Sequence, residues 1–236
     1  MTRYKDLRII FTTLLLLFIS IGMFAQTEYN KLDANGKRDG VWKKYWDNNR
    51  IRYHGKFVHG KEVGTFKYYS PATSDFPVII KKFHTNDDLA DVKFFNDQGV
   101  IESEGMMQGK KRVGKWIYYH KDGKSVMSEE NYVDGKLDGE YKTFYPDGSP
   151  TEIANYKNGK LEGNYKKYAI KGHLIYDFNY KNGMLNGKAA YYSRKTGDLI
   201  KKGQFKDDLR VGTWENYAGG ELISTEQPAL KPEKQK

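Results

Sequence analysis

The chain reads as all-β: an elongated single-layer antiparallel meander of about eight β-hairpin repeats of 24–26 residues. Three observations predict this. A glycine, a bulky residue two positions on and an aromatic five positions on recur with anchors at Gly40, Gly64, Ala90, Gly114, Gly139, Gly163, Gly187 and Gly212. The composition, with 19 Tyr, 12 Phe, 4 Trp and 24 Gly, is what aromatic ladders and tight turns consume. Finally, a mean hydropathy of -0.80 leaves little apolar surface to enclose, as suits a surface-rich array.

The first 25 residues obey different physics. Arg3, Lys5 and Arg8 precede an apolar run from Ile9 to Ile21, and Gly22-Met23-Phe24-Ala25 then gives way to polar Gln26. That layout predicts a signal peptide over 1–25, with a cut after Gly22 as a second option because Met23 is large for its place. An uncleaved anchor is the alternative, although Ile9 to Ala25 is short for a span of roughly 20 residues. Export to the periplasm, cell envelope or exterior is expected. No cysteine occurs, which excludes disulfides, a lipidated cysteine and thiolate metal sites.

The repeats are expected to fill 26–225. In the fifth, Gly139 to Tyr145 reads as a strand, Pro146-Asp147-Gly148-Ser149 as a turn and Thr151 to Tyr156 as the return strand. Turns recur at Asp97-Gln98-Gly99, Asp122-Gly123, Lys171-Gly172, Thr196-Gly197 and Gly219-Gly220, and Asp47-Asn48-Asn49 takes the part without glycine. Between units, connections such as Gly60-Lys61-Glu62-Val63-Gly64 are too short for a parallel crossover, so each strand must neighbour the last. Sixteen strands about 4.8 Å apart would make a ribbon of about 75 Å. The third repeat is degenerate, with Asn86 to Ala90 replacing the glycine connection after a loop from Pro71 to Pro77, and a kink or bulge is expected there. Residues 226–236, with two prolines and three lysines after Gln227, are expected to form a disordered tail.

The text Asn158-Gly159-Lys160-Leu161-Glu162-Gly163-Asn164-Tyr165-Lys166-Lys167-Tyr168 and its seven counterparts resemble MORN repeats, and more closely the MORN repeat variant. Bacterial members of that family are often labelled toxin-antitoxin antitoxin-like. The resemblance covers about four fifths of the chain and implies a single-layer sheet of hairpins. By analogy alone it implies protein association or binding of acidic lipid head groups. An exported protein has no access to a cytoplasmic toxin, so the antitoxin role does not follow.

Counting from each anchor, alternation along a strand assigns side chains to faces. The anchor and position two are expected to build the sheet: Gly40 and Trp42, Gly64 and Phe66, Gly114 and Trp116, Gly139 and Tyr141, Gly163 and Tyr165, Gly187, Gly212 and Trp214. Val92 and Ala189 are the weak members. Positions three and five would share the other face and form a candidate ligand or partner strip. It comprises Lys43 and Tyr45, Lys67 and Tyr69, Lys93 and Phe95, Tyr119, Lys142 and Phe144, Lys166 and Tyr168, Tyr192 and Tyr217. A bulge between positions two and five would instead turn both rings inward. Two readings of this strip stand: tyrosines and lysine stems that only cover a sheet lacking a second layer, or a recognition strip in which rings stack and ammonium groups attract phosphate or carboxylate.

Of the formal charge of +10, the leader contributes +2 from three basic residues and one acidic residue, leaving +8. Acidic lipid or glycan is thus one expected partner class, and another protein is the other. The Gly-x-Trp-x-x-Tyr cadence is also similar to choline-binding repeats, which have a shorter period. Nucleic acid is not expected, for want of a recognised fold or basic helix. His54, His59, His84, His120 and His173 fall at unrelated repeat positions, so no metal or catalytic site, and no cofactor, is expected. Asp134 to Glu140 faintly resembles a calcium loop, but the same register is a connection in every repeat.

Two functions remain open. The favoured one is a non-catalytic exported scaffold for protein–protein interaction, and the other is a binder of acidic envelope glycan or phospholipid through the Tyr/Lys ladder.

Overall fold

A computed structural model describes residues 28–228. The expected leader, 1–25, and most of the expected tail lie outside the described residues. Eighteen strands follow one another: Lys31–Leu32 (β1), Arg38–Tyr45 (β2), Ile51–Val58 (β3), Lys61–Tyr68 (β4), Ile79–Phe83 (β5), Leu89–Phe95 (β6), Ile101–Gln108 (β7), Lys111–Tyr119 (β8), Val126–Val133 (β9), Lys136–Phe144 (β10), Pro150–Lys157 (β11), Lys160–Leu161 (β12), Gly163–Tyr168 (β13), Leu174–Lys181 (β14), Met184–Tyr192 (β15), Leu199–Lys206 (β16), Leu209–Ala218 (β17) and Glu221–Glu226 (β18).

Each strand pairs antiparallel with its neighbours in sequence, giving one open meander with no helix among the described residues. The two strands beyond the expected sixteen are β1 and the second half of a strand broken at Glu162, where β12 gives way to β13. β18 runs to Glu226, one residue into the expected tail, because that carboxylate bonds Arg210 and Lys201.

Two kinds of turn alternate. Within five of the units the turn closes when the residue nine after the anchor donates its amide three residues back, as Gly148 does to Tyr145 at 2.9 Å; in the seventh, Gly197 donates four residues back to Ser193. Asn49 adopts φ 62° there, taking by itself the left-handed conformation that Gly99, Gly123, Gly148 and Gly172 supply elsewhere. Between units, pairs such as Asp134-Gly135, Asn158-Gly159 and Asn182-Gly183 hold positive φ at both residues, the two-residue turn whose twist matches paired strands.

The anchor has its own reason to be glycine. All seven anchor glycines hold φ between 64° and 112°, and beside the six from Gly64 to Gly212 the ladder shifts register, so each of those sits in a bulge. Ala90 is the exception, and β5–β6 pairs without any shift, from Ile79↔Phe94 to Phe83↔Ala90. The β4–β5 ladder is equally regular. The bulge expected at the degenerate connection is therefore absent from the two ladders beside it. An L-residue resists the left-handed conformation a bulge demands, so the junction without glycine keeps a plain ladder.

One face carries the core. Position-two residues and their cross-strand partners form a row that includes Trp42↔Gly55, Phe66↔Lys81, Val92↔Gly105, Trp116↔Glu130, Tyr141↔Ala154, Tyr165↔Phe178, Ala189↔Gly203 and Trp214↔Glu226. Trp116, Trp214, Phe66 and Val92 are fully buried. Their cover comes from neighbours on the same sheet. Rings seven before the next anchor pack edge-on, as in Phe57–Phe66 at 5.1 Å and Phe205–Trp214 at 5.0 Å. Arg38, Arg112 and Arg210 lay guanidinium groups 5.1, 4.8 and 4.0 Å from the centroids of Trp42, Trp116 and Trp214.

Both rims are stitched from unit to unit. Gly60, Gly135, Gly159 and Gly183 donate amides to Arg38, Arg112, Leu137 and Leu161 of the preceding unit. On the opposite rim, Trp46 donates its indole N–H to the Tyr69 carbonyl at 3.2 Å and His120 donates Nε2–H to that of Phe144 at 3.1 Å. The ends differ. At the first, Asn30 bonds across to Val41 and Lys43, and Lys43 lies 4.1 Å from the Tyr29 ring; at the last, β18 shows Leu222 and Ile223 exposed.

Candidate functional site

The face opposite the core is built by positions one, three and five. Position three forms a row across the sheet with the residue it meets on each return strand: Lys43↔His54↔Lys67↔Ile80↔Lys93↔Glu104↔Ile117↔Glu129↔Lys142↔Ile153. It continues as Lys166↔Asp177↔Ala190↔Lys202↔Glu215. The lysines of the expected strip thus share one line, but return strands interleave carboxylates and aliphatics among them. Lys93 pairs with Glu104 at 2.7 Å, Lys202 with Glu215 at 3.0 Å, and the position-one Lys115 with Glu129 at 2.9 Å. Lys142 turns to Glu140 at 2.7 Å.

A register shift does occur between positions four and five in every unit except the second, but the extra residue lies on the return strand. In the fourth unit Tyr118↔Ser128 is followed by Tyr119↔Val126, leaving Met127 as the extra residue. The aromatic strand itself keeps its alternation. Tyr119 donates its hydroxyl to Glu104 on the position-three face, and Tyr217 donates to Glu215 there. Those bonds have electrostatic consequences: the bond to Glu104, with burial second, pushes the Tyr119 hydroxyl up to about 12. Lys93 first and Tyr119 second hold the Glu104 carboxyl below its ordinary range.

The row changes character along its length. At the first end Lys43, Lys67, Lys56 and Lys82 make no ion pair within the described residues. His54 sits among them, its pKa lowered by burial and by the charges of Lys43 and Lys67. From Glu104 onward carboxylates join the lysines and aliphatics, two carboxylates (Glu104, Glu129) preceding two lysines (Lys142, Lys166). Tyr45 and Tyr69 lie by the hairpin rim at the basic end, with Tyr45 half exposed. Phe95, Phe144, Tyr168 and Tyr192 continue the rim line, opposite Ile101, Pro150, Leu174 and Leu199. Among the described residues no three His, Asp or Glu side chains gather as metal ligands.

One period of this geometry, from Leu137 through the anchor, hairpin turn and return strand to Asn158, also decides the family of the repeat. Residues 137–158 match the MORN repeat variant. The matched MORN stretch holds the features that recur at the other anchors: the left-handed Gly139, the inward Tyr141, the outward Lys142 and the rim-side Phe144. No curated protein matches the chain.

The aromatic period revealed the repeats, one of which matches the MORN variant, but three features of the faces escape it. The interleaved carboxylates become visible only once register is known. The Arg-x-Gly-x-Trp spelling at Arg38, Arg112 and Arg210 was a usable signal for the cation–π cover. So were Gly55, Gly105 and Gly203, where a Cβ would stand 2.4, 2.5 and 2.2 Å from the rings of Phe66, Trp116 and Trp214.

Proposed function

We propose that this protein is a non-catalytic scaffold that binds another protein along the outward face of its MORN-like sheet. The observation that carries the reading is the position-three row, a continuous line that mixes lysine, carboxylate and aliphatic side chains from Lys93 onward, with no second layer over it among the described residues. Mixed charge at short spacing suits the mixed surface of a protein, whereas a lipid surface of one sign would call for lysine alone. The basic, then apolar, leader supports action in the envelope or outside the cell.

Affinity capture with the full chain as bait tests this. A stoichiometric protein should be retained and then lost when Glu104, Glu129 and Lys166 are reversed in sign. Retention unchanged by the reversal would sink the proposal.

A second reading has its own support at one end. Lys43, Lys56 and Lys67 around His54 form a basic patch whose lysines make no ion pair among the described residues, which suits acidic glycan or phospholipid head groups. Vesicles containing anionic lipid should then be bound through this patch and released by salt. Binding unaffected by Lys43→Glu with Lys67→Glu would exclude it.

A further inference from the structure

The outward row has one gap. Ala190 stands at position three of the seventh unit, between Asp177 and Lys202, where Ile117, Lys142 and Lys166 put longer side chains in other units. The short side chain opens a depression of about 520 Å³ over β14 to β17, floored by Ala189, Ala190 and Gly203. Its volume falls in the ~300–1,000 Å³ range of small-molecule sites.

The rim is balanced in charge and dense in hydrogen-bonding groups. Asp177 on one side takes an amide hydrogen from Asn164 at 2.6 Å, and Glu215 on the other is paired with Lys202 at 3.0 Å. Each carboxylate retains free lone pairs. Lys188 and Gln204 also line the depression, and among the described residues neither side chain has a bonding partner. Tyr217 extends the wall, with its ring 5.2 Å from Lys202 Nζ.

We propose that this depression binds a neutral saccharide unit. A sugar ring has a C–H face suited to the alanine methyl and bare glycine backbone of the floor. Around its edge it has hydroxyls that both donate and accept, as this rim requires. Two carboxylates beside two lysines give an anion no net attraction, which separates the site from the basic patch at Lys43 and Lys67. The site occupies one stretch of the same outward row, but the ligand differs from that of the protein-scaffold reading, so either can fail without the other.

The test is NMR titration of the isotopically labelled full chain with three neutral disaccharides: cellobiose, maltose and N,N′-diacetylchitobiose. At least one should shift the Ala190 methyl and Gln204 side-chain amide signals saturably. Ala190→Lys restores the residue usual at position three, so its backbone spectrum should stay folded while the saturable shifts vanish. Gln204→Ala should weaken binding by about two- to tenfold, the worth of one hydrogen bond. No saturable shift with any of the three sugars would overturn the proposal. So would a response at these residues to inorganic phosphate or diglycine alone.

Discussion

A methyl group added at Gly105 has nowhere to go. Its carbon would stand 2.5 Å from Cδ2 of Trp116, a ring that is fully buried, donates its indole N–H to the Met106 carbonyl at 3.0 Å and is covered by Arg112. The indole cannot withdraw without losing that bond and its cover. Gly105→Ala should therefore cost about 3 kcal/mol, the upper part of the overpacking range. Trp116→Ala should cost about 4 kcal/mol as a large-to-small change in the core. The sheet contains the reciprocal solution, since Phe178 and Ala189 occupy the equivalent places in the seventh unit. The double variant Gly105→Phe/Trp116→Ala copies it and should lose only about 1–2 kcal/mol, a strong coupling between neighbours. Urea unfolding of the full chain followed by far-UV circular dichroism reads the three values. The reasoning fails if Gly105→Ala unfolds within about 0.5 kcal/mol of the parent, or if the double variant is no more stable than Trp116→Ala.

Other expectations follow from the same geometry. Gly114→Ala forces a side chain into φ 64° and should cost about 1–2 kcal/mol, whereas Ala90→Gly, on a plain ladder, should cost about 0.5–1 kcal/mol; thermal melts of both decide. The Glu104 carboxyl has a folded pKa below its unfolded one, so its stabilising contribution is present above the ordinary glutamate range and is lost as pH falls through the folded value. Glu104→Gln should flatten the change in urea midpoint between about pH 6 and pH 3, and an unchanged slope would contradict the Lys93–Glu104–Tyr119 cluster. Removing residues 140–163 deletes one period and joins Gly139 to Asn164, bringing Tyr165 opposite Glu130 in place of Tyr141. Because each unit touches only its neighbours, the shortened chain should still fold, with a strand-rich circular dichroism spectrum; a disordered spectrum would refute the modular reading.

The meander and its inward row were legible because both depend on spacing within one unit. The period placed Trp42, Phe66, Trp116 and Trp214 on one face without knowledge of pairing, and the turn residues fixed where the chain reverses. The outward face was harder to read because it depends on which residue of the return strand stands beside each lysine. In most units two bulges set that register, one at the anchor and one beyond position four, and each offsets a simple count. Glu104 and Glu129 were plain in the sequence, but their place beside Lys93 and Lys115 was not. Ala90 was misread for a related reason: a missing glycine suggested distortion, when glycine in the other units is what permits it.

Because every ladder joins segments adjacent in the chain, no strand must wait for a distant partner to be made. Sheet proteins as a class fold slowly because their contacts are remote in sequence, and this one escapes that delay. The closed first edge and the open last edge then acquire a direction in time. A chain emerging from its first residue onward meets a finished end at Asn30 and Val41, and each hairpin, once laid down, offers the free edge on which the next is shaped. Among the described residues, the outer edge of β18 is the template left when that succession of hairpins is complete.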